Sequence, residues 1–202
     1  RVSLGLWILI LMPMGEAGVV VYAPYLLQLD RGMSPIWAGY FGAIHALTWS
    51  LSAMCVASLP PRWHGYAIFS GPTALTIGMA LLGLALAGGP LLFVAVALAL
   101  AGIGFGISHS FINQRIMAAA PEGQEDATAT SIPTLECLGG AIGAALAGLV
   151  GNAAGFGGDL TPDVVYSGSI GVFGGGAVIV LLGVFAAALF LRSAGPGADR
   201  KN

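Results

Sequence analysis

The chain has 202 residues, of which 57% are apolar and 8% charged, with a formal net charge of −2. A water-soluble domain carries about 25% charged residues, so so few charges, together with a mean hydropathy of +0.90, exclude a soluble globule. The slightly acidic balance leaves no basic footprint for nucleic acid.

Six apolar runs stand between polar or Pro/Gly breaks, at 4–29, 35–57, 66–87, 91–117, 129–152 and 164–191. Each exceeds about 20 residues, enough for a helix to cross a ~30 Å hydrocarbon core. None alternates as the strands of a β-barrel must. The expected fold is an all-α membrane protein, a single bundle of six transmembrane helices with a cytoplasmic tail at 192–202. Lipid bilayer is its first partner.

The first run holds Glu16 within Pro13-Met14-Gly15-Glu16-Ala17-Gly18. Proline removes a backbone donor and glycine weakens a helix, so an interrupted helix beside a mid-membrane carboxylate is expected. That combination suits a substrate or ion site. Tyr22, Tyr25 and Gln28 lie toward the outer end of the same run, where tyrosine suits the interfacial belt. In the second run His45, Thr48, Trp49 and Ser52 follow i, i+3, i+4, i+7 spacing and share one face. In the fourth, Gly102, Phe105, His109 and Asn113 make a comparable stripe. Histidine exchanges protons near neutral pH, and an ionisable group in a span usually faces a cavity or a partner. Glu16, His45, Trp49, His109 and Asn113 are therefore the candidates for a proton-coupling or substrate cavity.

The fifth run is built from small residues. Gly139, Gly143, Ala147, Gly151 and Gly155 recur every four positions, with Gly140, Ala144 and Gly148 in a second row. Such spacing lets two helix backbones approach closely. Glu136 follows Pro133 by three residues and shares a face with Gly139, Gly140 and Gly143, so it is expected to point into the close-packed seam, and Glu136, Pro133, Gly139 and Gly143 are the gating or helix-seam candidates. Cys55 and Cys137 fit no metal-ligand spacing and read as packing residues.

Threading the runs through a bilayer puts Arg1, Arg62, Arg115, Arg192, Arg200 and Lys201 on one side and only Arg31 on the other. Basic residues collect on the cytoplasmic side, so both termini are expected there. The chain opens on Arg1 rather than Met, and a preceding N-terminal bundle is expected. No Gly-x-Ser-Gly nucleophile, HExxH metal motif or Walker A sequence occurs, so no metal or cofactor is expected and an enzyme is not.

Three stretches resemble the C-terminal six-helix half of a major facilitator superfamily transporter of the drug:proton antiporter type. They are Tyr22-Ala23-Pro24-Tyr25-Leu26-Leu27-Gln28 with Arg31-Gly32-Met33-Ser34-Pro35; Gly102-Ile103-Gly104-Phe105-Gly106 running to Gln114-Arg115 and Pro121-Glu122-Gly123; and Leu138-Gly139-Gly140-Ala141-Ile142-Gly143-Ala144-Ala145. The loop Ser58-Leu59-Pro60-Pro61-Arg62-Trp63-His64-Gly65 departs from the family, keeping one arginine of its basic loop pattern. The resemblance implies an inverted 3+3 repeat, with the first and fourth helices lining a cavity and the second and fifth bordering an N-terminal six-helix half, on the same or a separate chain. It further implies alternating-access efflux of small, partly hydrophobic compounds across the inner (plasma) membrane, driven by a proton gradient. Uptake or exchange of a polar metabolite is the alternative within this architecture. A scaffold or sensor that transports nothing is the alternative outside it.

Overall fold

A computed structural model describes residues 2–193, and among these every regular element is helical. Five helices follow one another as α1 (Val2–Leu29), α2 (Pro35–Val56), α3 (Pro61–Leu86), α4 (Leu91–Ala118) and α5 (Glu125–Ala154). A sixth rod runs from α6 (Pro162–Ser169) through a π-helical turn (Ile170–Gly174) into α7 (Gly175–Ser193). Arg192 and Ser193 end this rod; the rest of the expected tail lies outside the described residues, as do Arg1, Arg200 and Lys201.

Five of the six rods are long and apolar enough to cross a bilayer. The exception is α2, whose 22 residues give about 33 Å of length but include His45, Thr48, Trp49, Ser50 and Ser52. His45, Thr48, Trp49 and Ser52 turn toward neighbouring helices, while Ser50, Ile36, Leu47, Leu51 and Met54 are exposed. Large apolar side chains are exposed on the other rods too, including Val20, Leu92 and Leu149. A surface of this kind is stable against lipid and not against water.

Proline opens α2, α3 and α6 in the first turn, where its missing N–H breaks no helical bond. Inside α1, Pro13 and Pro24 are accommodated without a break, and the helix is continuous through Glu16. The expected interruption is absent because α1 is clamped over its whole length. It packs lengthwise against α5 on one side and α7 on the other, and tertiary packing outweighs the missing backbone bonds.

Glycine decides which helices touch. A Cβ at Gly143 would lie 2.0 Å from the Met14 carbonyl oxygen, and one at Gly139 would lie 2.4 Å from that of Ile10. The first small-residue row of α5 is thus the seam with α1. The second row is different: Gly140 and Gly148 have open space before them. On α4, Gly102 and Gly106 seat the backbone of α2 at His45 and Trp49, while Gly104 faces Gly71 and Leu75 of α3. On the other side of α1, Gly15 and Gly176 bring α1 and α7 into backbone contact. The core between these seams includes Ile8, Leu26, Ile68, Met79, Phe111 and Phe173, all fully buried. Cys55 and Cys137 are exposed free thiols rather than packing residues, because they lie on faces of α2 and α5 turned outward.

The start of α1 meets the ends of α4 and α7, since Gly5 approaches Ile116 and Phe190. This end carries Arg62, Arg115 and Arg192 and is called the basic end below. At the opposite end Arg31 folds back over α3, donating from Nη2 to the carbonyls of Ala85 (3.3 Å) and Leu86 (3.4 Å), with Asp30 2.9 Å from its Nε. The last carbonyls of a helix have no partner within it, so the guanidinium serves as a cap delivered from another loop. Arg31→Ala should lower stability by about 1–2 kcal/mol, measured as the thermal midpoint in detergent. An Arg31→Lys protein should recover part of that, and an unchanged midpoint for Arg31→Ala would remove the capping role.

Candidate functional site

The two carboxylates well inside the spans, Glu16 and Glu136, are each paired with a histidine on an adjoining helix. Glu16 of α1 meets His45 of α2, with 2.5 Å between Oε1 and Nε2. Glu136 of α5 meets His109 of α4 at 2.8 Å, again through Oε1 and Nε2. The two pairs bridge α1 to α2 and α4 to α5, helices that otherwise touch little along their length. Polar side chains therefore close gaps that backbone packing leaves.

The Glu16–His45 pair is the more enclosed, its side chains 10% and 9% exposed. The second nitrogen of His45, Nδ1, lies 3.3 Å from the carbonyl oxygen of Leu98 on α4. A carbonyl can only accept, so Nδ1 carries a hydrogen and donates it. The contact between Nε2 and Oε1 then holds one further proton, on the imidazole or on the carboxyl group. Either arrangement leaves the pair with no net charge, which is the tolerable condition in an apolar surround. Losing that proton would leave one negative charge. The pair lies at mid-span, since Glu16 and His45 are near the centres of α1 and α2.

The second pair sits nearer the basic end and is about a quarter exposed. Asn113, one turn further along α4, brings Nδ2 to 3.5 Å from His109 Nε2, the outer limit of a hydrogen bond. Its Oδ1 is buried with no partner. Between the pairs runs a file of aromatic rings. Trp49 packs on Phe105 with centroids 4.6 Å apart, and Phe105 stacks on His109 at 5.3 Å. His45 is 6.4 Å from Trp49.

Glu16, Trp49 and Phe105 line an open groove of about 350 Å³, completed by Pro13, Ala17, Val20 and Val21 of α1 and by Gly140 and Ala144 of α5. Pro13 and Phe105 also border a void of about 10 Å³ beside His109 and Glu136, hardly room for one water. These two side chains thus stand as a wall between the groove and the second pair.

Of the residues singled out from the sequence, Glu16, His45, Trp49 and His109 form one connected group, with Asn113 at its edge. Glu136 belongs to this group through His109, while its neighbours Gly139 and Gly143 are in the α1 seam. Pro133 is exposed, and α5 passes through it unbroken. Thr48 and Ser52 share the His45 stripe but bond to backbone carbonyls and face α4 rather than the groove. Sequence reasoning missed Pro13, Gly140 and Ala144 as walls. The open second row of α5 carries no polar signal; only its alternation with the seam row distinguishes it.

Similarity to known proteins agrees with this anatomy. A 156-residue stretch, 73% of the chain, is 31% identical to a probable multidrug-efflux transporter of Mycobacterium tuberculosis, the same match occurring in two strains. A 135-residue stretch, 64% of the chain, is 33% identical to a riboflavin transporter of Clostridioides difficile. The chain is a multi-pass helical membrane protein similar to part of these transporters. The matched stretches cover 33% and 29% of those relatives, so the chain spans about a third of their length. No protein-family model matches it.

Proposed function

We propose that the chain is the C-terminal half of a major facilitator-type secondary transporter that exports small, partly hydrophobic compounds in exchange for protons. The observation that carries this reading is the Glu16–His45 pair on an apolar, aromatic-walled groove at mid-membrane. A carboxylate in such a place is costly unless it serves a purpose. Here it is partnered so as to hold one proton, beside a space lined by Trp49 and Phe105 that suits a flat or apolar compound. Entry of a cationic compound favours the negative, deprotonated pair; its departure favours the protonated one. Substrate and proton thereby compete, which is the thermodynamic requirement of exchange.

An inverted 3+3 repeat is supported by the way the helices pair. α1 packs against α5 and α7 as α4 packs against α2 and α3, the relation generated when α1–α3 is turned over onto the last three rods. The acid–imidazole pairs obey the same exchange, acid on α1 and imidazole on α2, imidazole on α4 and acid on α5. The open groove gives one wall of a cavity, and an N-terminal six-helix half would supply the other. With arginines gathered at one end, that end lies in the cytoplasm of a cell whose inner membrane holds the protein. The groove between α1 and α4 weighs against a scaffold that transports nothing.

Proteoliposomes holding the full-length protein test the reading. Export of a lipophilic fluorescent cation should rise when an inward proton gradient is imposed. In a Glu16→Gln protein it should fall to the rate seen without a gradient, because glutamine keeps a hydrogen bond to His45 but cannot exchange the proton. Undiminished gradient dependence in that variant would refute the role of Glu16. The similarity to a riboflavin transporter favours a second reading, uptake of a polar metabolite; inward movement of riboflavin, with no movement of the cation, would select it.

A further inference from the structure

We propose that Arg62 and Arg115 form a binding site for the phosphate of an anionic phospholipid, in a groove separate from the one beside Glu16. Arg62 is the second residue of α3 and Arg115 lies in the last turn of α4. Both line one groove of about 340 Å³, shared with Gly65, Tyr66 and Phe69 of α3 and Leu191 of α7. No wall of it comes from α1, α2 or α5, so it is separate from the space beside Glu16.

Three observations point to the occupant. Two arginines border one groove, yet neither has an acidic partner among the described residues, Glu122, Glu125 and Asp126 of the same end included. Like charges gathered in one place call for an anion, and guanidinium matches phosphate by paired N–H bonds. The remaining walls are apolar, and Tyr66 and Phe69 stand 69% and 44% exposed. A free phosphate gains nothing from them, whereas an acyl chain lies along them. The order of residues also follows the depth of a bilayer. Arg62 is at the helix start, Trp63 packs on Tyr66 with centroids 5.3 Å apart, and Phe69 lies about two turns, roughly 10 Å, deeper. Charge, then amphipathic ring, then apolar ring is the sequence from headgroup to hydrocarbon. Gly65 leaves the floor open, since a Cβ there would reach only Leu191, at 3.6 Å.

The site concerns lipid and not cargo, so it stands whether or not the transport reading does. The test is native mass spectrometry of the full-length protein in detergent, titrated with phosphatidylglycerol, phosphatidylethanolamine or inorganic phosphate. Phosphatidylglycerol should bind about tenfold or more tightly than phosphatidylethanolamine, as two basic residues near an anionic headgroup imply. An R62Q/R115Q protein should lose that preference, and an R62K/R115K protein should keep most of it. Equal binding of the two lipids by the unaltered protein would overturn the proposal, and this arm needs no variant to fold. So would a preference that survives in R62Q/R115Q. Displacement of the lipid by millimolar inorganic phosphate would show a site for the free anion instead and would equally overturn it.

Discussion

Gly143→Ala is expected to lower the stability of the bundle by about 3 kcal/mol, at the upper end of what overpacking costs. The added methyl would sit 2.0 Å from the Met14 carbonyl oxygen and 2.7 Å from its Cα. A side chain could rotate away, but the obstacle is the backbone of a helix. α1 and α5 would have to part by about 1.4 Å to restore an ordinary contact of 3.4 Å. The separation would spread along the seam to Gly139 and Gly151, loosening contacts well beyond the substituted position. The same change at Gly140, three residues earlier, in the second row and facing open space, should cost under about 0.5 kcal/mol. Thermal unfolding in one detergent compares them directly. Equal shifts for the two variants would mean that the seam is not where the glycines indicate. Since Gly140 borders the groove, its alanine variant has a second readout, altered affinity for cargo with the fold intact.

Removing both members of the Glu16–His45 pair should cost less than the two single losses added together. In the His45→Ala protein the Glu16 carboxyl group keeps its burial and loses the imidazole that pairs with it. Breaking an enclosed ion pair from one side typically costs about 3–5 kcal/mol, and the expected loss is in that range unless the carboxyl group takes up a proton and softens it. The double replacement Glu16→Ala/His45→Ala leaves no stranded group. Its loss should fall short of the summed single losses by about 0.5–3 kcal/mol, the span seen for directly interacting residues. Additive losses would mean that the two side chains stabilise the bundle separately and that the shared proton is not a feature of the molecule. The equivalent cycle at His109 and Glu136 should show a smaller coupling, because that pair is about a quarter exposed and less enclosed.

Six rods were legible because length and hydropathy are local properties, and lipid imposes them on each helix separately. α2 shows the limit of that signal: its polar stripe, which made it a candidate, is also what leaves it short of the hydropathy of the others. The four ionisable residues drew notice from the sequence because charge inside a span is costly wherever it falls. Their pairing did not, since Glu16 and His45 are 29 positions apart and Glu136 lies 27 beyond His109, and only the angles between helices bring them together. The break expected at Pro13 illustrates the reverse error. A local propensity was read correctly, and packing against α5 and α7 overrode it. Which of two glycine rows on α5 forms the seam was equally unreadable, because both rows have the same residue types at the same spacing.

The π-helical turn at Ile170–Gly174 has an effect on numbering along the last rod. Such a turn accommodates one residue more than an α-helical one, so Pro162–Ser169 and Gly175–Ser193 are offset by about 100° from the phase of a single unbroken helix. Val165 and Val180 are both buried although they answer to different reference angles. Deleting one residue between Gly171 and Gly174 would restore a uniform winding and, with Gly176 held against Gly15, rotate Tyr166 and its neighbours by more than a quarter turn. Insertions and deletions near this point therefore change which way the outer end of the rod looks, without altering where it crosses α1.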